Sequence, residues 1–262
     1  MPDTQSFRPE FTNLVQLLET AVERYADQPL FGQLSGDDIR WTTYREFANL
    51  VDKFRAGLHK LGVRRGDSVA VISNNRLEWA VAAHAAIGLG AYFVPMYEAQ
   101  HEEDWQYILN DSDASVVLVA TQAVAQRLQP LRASLPKVRE VVGFEAPASE
   151  PSSYAALLAV GEKSTVPKVS PADTDLAILI YTSGTTGRPK GVMLTHYNLA
   201  SNVSALLSTV QVNSEDRAIA FLPWAHIFGG SIELNLTMVT GSSTVICSDA
   251  SQLAQYLPKV KP

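Results

Sequence analysis

Cysteine is almost missing from this chain. Cys247 is the only one, so no intrachain disulfide can form and no Cys/His zinc site of the usual spacing can be assembled. Positive charge is also in short supply: 21 Lys and Arg face 27 Asp and Glu, for a net charge of −6. That balance argues against the broad basic face of a nucleic-acid binder and makes any recognition of anions local. Long apolar runs are lacking too. The longest apolar tract, residues 80–96, is interrupted by His84, Gly88, Gly90 and Pro95, and the N-terminal MPDTQSFRPEF has no apolar signal core. These deficits lead us to expect a cytoplasmic protein with no transmembrane segment and no nucleic-acid partner. What is present is ordinary for a soluble chain, 46% hydrophobic and 18% charged over 262 residues, enough for one large domain or two small ones.

Periodicity divides the chain into elements. Thr12 is placed to cap a helix whose apolar face is Leu14, Leu17, Leu18, Ala21 and Tyr25, and a hairpin turning at Ser35, Gly36 and Asp37 follows. A second helix starts near Thr43, carries Tyr44, Phe47, Val51, Phe54, Leu58 and Leu61 at helical spacing, and stops at Gly62. From Ser68 short apolar runs alternate with helical stretches: SVAVIS, residues 77–89, YFVP, residues 102–110, SVVLV, residues 121–134, EVVGF. This is the pattern of parallel strands covered by helices. Residues 145–174 hold Pro147, Pro151, Pro167 and Pro171 around one amphipathic piece, residues 154–160, and read as a surface connection. A buried strand, LAILIYTS, comes next. Beyond it the spacing predicts a helix from Asn198 to Ser208, a strand AIAFLP, a helix from Ile227 to about Val239, a strand STVICS and the start of a helix at Ser251.

The strand LAILIYTS runs into YTSGTTGRPKG, residues 181–191. Gly184, Gly187 and Gly191 let backbone N–H groups approach an anion, Thr182, Ser183, Thr185 and Thr186 add hydroxyls, and Lys190 adds a mobile positive charge. A polyphosphate suits that set of donors. The loop is not the P-loop GxxxxGK[ST]: counted from Gly184, the second glycine position is Pro189, which has no N–H, and Gly191 follows Lys190 where Ser or Thr is required. Val192, Met193 and Leu194 then read as a strand, which makes a kinase or ATPase of the P-loop type a poor match.

Residues 181–191 resemble the phosphate-binding signature of the adenylate-forming (AMP-binding) superfamily. GLGAYFVPM at 88–96, YILNDSDASVVLV at 107–119 and LPWAHIFGG at 222–230 are similar to further motifs of that family in the same order, so the likeness covers nearly the whole chain. Within the family the closer match is to fatty acyl-CoA synthetases. The resemblance implies an α/β fold: a layered α/β/α subdomain with a mostly parallel sheet, residues 65–212, and a second, incomplete α/β subdomain from residues 10–62 with 217–262. It implies ATP, Mg2+ and coenzyme A as reactants, a fatty acid as substrate, Lys190 and His226 as the catalytic pair, and Thr182, Ser183, Gly184, Thr185, Thr186, Gly187 and Lys190 around the nucleotide phosphates. Thr185 is the expected magnesium partner. His226 is expected to orient the adenylate, and Trp224 to line an acyl pocket.

Parts of the family pattern are missing. There is no aromatic-Gly-x-Thr-Glu motif, no late ribose-binding aspartate and no small domain with its adenylation lysine, so residues 1–262 read as a truncated N-terminal large domain that cannot complete the reaction alone. Pro262 reads as a boundary set by cloning or proteolysis. An exposed apolar edge in the second subdomain, with self-association, is expected; peripheral membrane contact stays open. A non-catalytic nucleotide- or phosphate-binding module, and an adenylating enzyme for another carboxylic acid, remain as alternatives. His59, His84, His101 and His196 match no site motif. The run Glu102, Glu103, Asp104 reads as favourable charge at a helix start, and Arg65, Gly66, Asp67 as a turn.

Overall fold

The two edges of the chain's hydrophobic pattern, period 3.6 and period 2, are both realised in the computed structural model, which describes residues 9–183 and 187–262. The chain opens with α1 (Leu14–Tyr25), β1 (Pro29–Ser35), β2 (Asp38–Thr43) and α2 (Tyr44–Lys60). Asn13, not Thr12, caps α1: its side chain accepts from the Gln16 N–H at 2.8 Å, while the Thr12 N–H is taken by the Gln16 side chain at 2.8 Å. The shift is one residue, because only Asn13 has its oxygen within reach of the third helical amide. At α2 the cap is reciprocal, with Thr43 Oγ1 accepting from Glu46 N and the Glu46 carboxylate accepting from Thr43 N.

Next come β3 (Ser68–Ile72), α3 (Leu77–Ile87), β4 (Tyr92–Met96), α4 (Glu102–Asp111), β5 (Ala114–Val119), α5 (Gln122–Leu128) and β6 (Glu140–Gly143). The helix expected over 121–134 breaks after Leu128 into a 3-10 turn, Gln129–Ser134, because Pro130 has no N–H to continue the ladder. After α6 (Tyr154–Gly161), β7 (Leu176–Thr182) and β8 (Lys190–Thr195) complete a six-stranded sheet of order β6-β5-β3-β4-β7-β8. All its pairs are parallel except β7 with β8. α7 (His196–Thr209) begins two residues before the expected Asn198, since Thr195 and Asn198 form a capping box that places Asn198 inside the first turn.

A second sheet, of order β2-β1-β10-β9, joins early and late residues: β9 (Arg217–Ala220) and β10 (Ser243–Ile246) run parallel to β1. Between them the single helix expected over 227–239 is three pieces: α8 (Ile227–Gly229), a π-helical segment (Gly230–Leu236) and α9 (Thr237–Thr240). The Asn235 side chain donates to the Gly230 carbonyl at 3.0 Å, one of the insertions that widen an α-helical ladder. A 3-10 turn and α10 (Leu253–Val260) follow.

Period-2 alternation sorts the large sheet between two cores. Val69, Val71 and Phe93 face a cluster with α1, α2 and α3, whereas Ala70, Ile72, Val94 and Met96 face α4 and α5. α3 is buried along its whole length from Trp79 to Ile87, as expected for a helix that is apolar all round. It shares its cluster with Leu30 and Phe31 of the small sheet, so one core spans both sheets. Among the described residues no helix is long and apolar enough to cross a membrane. Most of the exposed large apolar side chains, Met193 at 68% and Phe228 at 55% foremost, lie on β8 and around residues 221–228, with Tyr197, Val210 and Leu257 exposed elsewhere. On β9, at the edge of the small sheet, Ile219 and Ala220 are buried.

Candidate functional site

β7 is a buried strand with an exposed end. Its parallel pairing with β4 sends it toward the carboxyl edge of the sheet, the usual side for ligands in α/β folds. There Thr182 and Ser183 emerge exposed, and β8 returns antiparallel so that Lys190 is the register partner of Thr182 and Gly191 of Tyr181. Three of the expected phosphate-loop positions, Gly184, Thr185 and Thr186, lie outside the described residues. Gly187 has φ +94°, the left-handed region, with open space where a Cβ would stand. Gly191 serves packing, since a Cβ there would sit 3.1 Å from Leu179 Cδ1 and 3.3 Å from the Tyr181 ring.

The hairpin is tied to α4. The Tyr181 hydroxyl donates to Asp111 Oδ2 at 2.6 Å, and burial together with that carboxylate pushes the phenol's pKa up. The Tyr181 ring meets Tyr107 edge-on, and the Arg188 guanidinium stands 5.7 Å from the Tyr107 ring centre. Gly187, Arg188 and Pro189 therefore face Glu103, Asp104 and Tyr107 across a cleft of about 430 Å³. Glu102 does begin α4, where it pairs with Arg127 at 2.6 Å, and that guanidinium holds its carboxyl below the usual range.

His226 ends the irregular segment that leaves β9. Its imidazole is exposed and caps α8, with Nδ1 accepting from the Phe228 N–H at 3.2 Å. In the neutral ring the proton then resides on Nε2, leaving a donor for a ligand oxygen. The approach to His226 is held from two sides. Asn75, beyond the end of β3, accepts from Trp224 N and donates to the Leu222 carbonyl, both at 2.8 Å. Glu233, in the π-helical segment, accepts from Phe221 N at 3.2 Å and Leu222 N at 3.0 Å. Burial raises its pKa to about 7, against the opposing pull of those amides. Gly229 lets α8 close on the segment: a Cβ there would fall 2.5 Å from the Pro223 carbonyl oxygen.

Sequence reasoning passed over Asn75, Gly229 and Glu233. One signal was available for the last, the only charged residue between Arg217 and Asp249. Trp224 is buried, packed on Trp79 and Phe31. With Ile227, Gly230 and Leu234 it shares a narrow apolar cavity of about 20 Å³ with Ile178 and Ile180 of β7. The histidine segment and the strand that carries the glycine loop are thus two walls of one cavity. Lys190 and His226 are not bonded to each other among the described residues. His84 and His196 stay buried and structural, each held at about 4 by burial. No group of three or more His, Cys, Asp or Glu side chains is arranged to hold a metal among the described residues.

Known proteins resemble this chain over most of its length. The family model described as AMP-binding enzyme matches residues 18–262. The long-chain-fatty-acid–CoA ligase FadD15 of Mycobacterium bovis is 34% identical over 232 residues, 83% of this chain and 37% of the relative. Long chain acyl-CoA synthetase 8 of Arabidopsis thaliana is 28% identical over 90% of this chain and 34% of its own length. The crystal structure of a long-chain-fatty-acid–CoA ligase, FadD1 of Archaeoglobus fulgidus, superposes with a TM-score of 0.85 at 26% identity, covering 98% of this chain and 51% of that one. The chain spans little more than a third of the length of these curated relatives.

Proposed function

We propose, from the premise that this chain belongs to the AMP-binding enzyme family, that it forms the phosphate-loop part of an ATP-dependent fatty acid–CoA ligase. In this reading a carboxylate oxygen attacks the α-phosphorus of ATP, pyrophosphate leaves, and the acyl group of the resulting adenylate passes to the thiol of coenzyme A. The observation that carries it is the shared cavity. Ile178 and Ile180 on β7, the strand that leads to the glycine loop, and Trp224 and Ile227 beside His226 line one apolar cavity. An acid with an apolar tail would lie there with its carboxylate toward Nε2–H of His226. The cavity holds about 20 Å³, roughly one water, so Trp224 and Ile227 would have to move to admit an acyl chain.

The barrier to bringing a carboxylate to a triphosphate is largely electrostatic. Lys190, set opposite Thr182 across the hairpin, would offset charge on the departing pyrophosphate. Thr182, Ser183 and the N–H of Gly187 would contribute at its near end, and Gly184, Thr185 and Thr186 would complete the cradle. Magnesium would arrive with the nucleotide, with Thr185 supplying a hydroxyl to a cation that prefers oxygen ligands. His226 binds and orients the adenylate. The same reading treats residues 65–212 as one subdomain and residues 10–62 with 217–262 as the other, in a cytoplasmic enzyme.

The test is pyrophosphate release by the full protein with ATP, magnesium, coenzyme A and saturated fatty acids of graded length. We expect a maximum at long chains, and for Lys190→Ala a fall of about 100-fold in kcat/KM. ATP binding without pyrophosphate release from any acid would replace this reading with that of a nucleotide-binding module.

A further inference from the structure

Residues 221–226 belong to no helix or strand, and two side chains bond the backbone of 221–224. Asn75 arrives from the loop after β3 of the other sheet, 149 residues before Trp224, and uses both ends of its amide, as a neighbouring strand would: Oδ1 takes the Trp224 N–H and Nδ2 gives to the Leu222 carbonyl. Glu233 takes the Phe221 and Leu222 N–H groups through two oxygens, so the segment is gripped on both edges. Gly229 then lets α8 lie directly on the Leu222 and Pro223 carbonyls. His226 follows at once, its N–H closing on the Pro223 carbonyl at 2.9 Å.

We propose that Asn75 and Glu233 are positioning residues for His226: by fixing the backbone at 221–224 they set where the Nε2–H of the imidazole points. The inference rests on the reading of His226 as a contact to the adenylate. Glu233 is only 8% exposed, and a buried carboxylate is a costly cap if two amides merely need an acceptor. What it gains is direction. With Asn75 it leaves one placement for a stretch that is otherwise irregular. Asn75 also makes the seat of His226 depend on the carboxyl end of β3, the strand at the centre of the large sheet.

The test is a double-mutant cycle in the full protein. Affinity for dodecanoyl-sulfamoyl-adenosine, a stable mimic of an acyl-adenylate, is measured for Asn75→Asp, Glu233→Leu and Glu233→Gln, each with and without His226→Ala. Amide hydrogen exchange at Leu222 and Trp224 is followed in parallel. Asn75→Asp and Glu233→Leu are expected to speed exchange at these amides and to weaken binding by about tenfold. With His226→Ala already present, each loss should shrink to less than about twofold. Glu233→Gln, which keeps an acceptor, should recover most of the affinity. Asn75→Asp preserves volume and decides the matter should Glu233→Leu fail to fold. Unchanged exchange, or the same loss of affinity in the His226→Ala background, overturns the positioning role. Failure of the unsubstituted protein to bind the mimic overturns the adenylate reading itself, a different result from tight binding with uncoupled variants.

Discussion

Buried ionisable side chains in this fold pull its pH stability in opposite directions. His84, edge-on to Phe47 at 5.7 Å, and His196, whose Nδ1 accepts from Leu14 N, are each held by burial at about 4, below an ordinary 6.5. Between those values the unfolded chain binds the extra protons, so stability rises with pH. Glu233 behaves oppositely. Its folded pKa of about 7 lies above the ordinary 4.5, so the folded state keeps a proton that the unfolded state has lost, and stability falls as pH climbs through that window. Each shift is worth on the order of 3 kcal/mol, and the two histidines outweigh the one carboxylate until the unfolded imidazoles have lost most of their protons, near pH 7. The melting temperature should therefore climb from pH 4 and level off near pH 7. Glu233→Gln should steepen the climb between about pH 5 and 7 in a calorimetric pH series; a variant whose climb is no steeper contradicts the assignment.

At the scale of elements, the joints matter more than the strands. Gly229→Ala would drive a methyl to 2.5 Å from the Pro223 carbonyl oxygen, and we expect a loss of about 1–3 kcal/mol in urea unfolding. Gly66→Ala meets nothing within 4 Å but must adopt φ +83°, for a cost of about 1 kcal/mol from backbone strain alone. Removing the cap of α7 by Thr195→Ala should cost about 1 kcal/mol. These joints are also where sequence and structure part. β3 and β5 were legible because burial on both faces makes them continuous apolar runs, and the glycine hairpin because its residue types are so specific. The cap of α1 was misplaced by one residue because Thr12 and Asn13 are both good caps. The π-helical turn escaped because Ser231 and residues 233–236 are all buried, leaving no one-sided face whose shift would mark an extra residue. Asn75 stayed hidden for a different reason: its partners lie 147 and 149 residues away, beyond the reach of any local pattern.

For the whole molecule, the shared core has a thermodynamic consequence. α3 and Trp224 bring residues of both sheets into one cluster, so neither sheet can lose its packing while the other keeps all of its own. We expect one unfolding transition, with far-ultraviolet dichroism and tryptophan emission giving the same midpoint in urea; separated midpoints would show that the sheets unfold independently. Trp79 and Trp224 meet edge to face with ring centres 5.6 Å apart, one on the central helix and the other two residues before His226. Two indoles that close couple their electronic transitions, so the molecule contains an optical gauge of its own histidine segment. A ligand that reseats Trp224 by an ångström would change the near-ultraviolet dichroism of the pair without any added label.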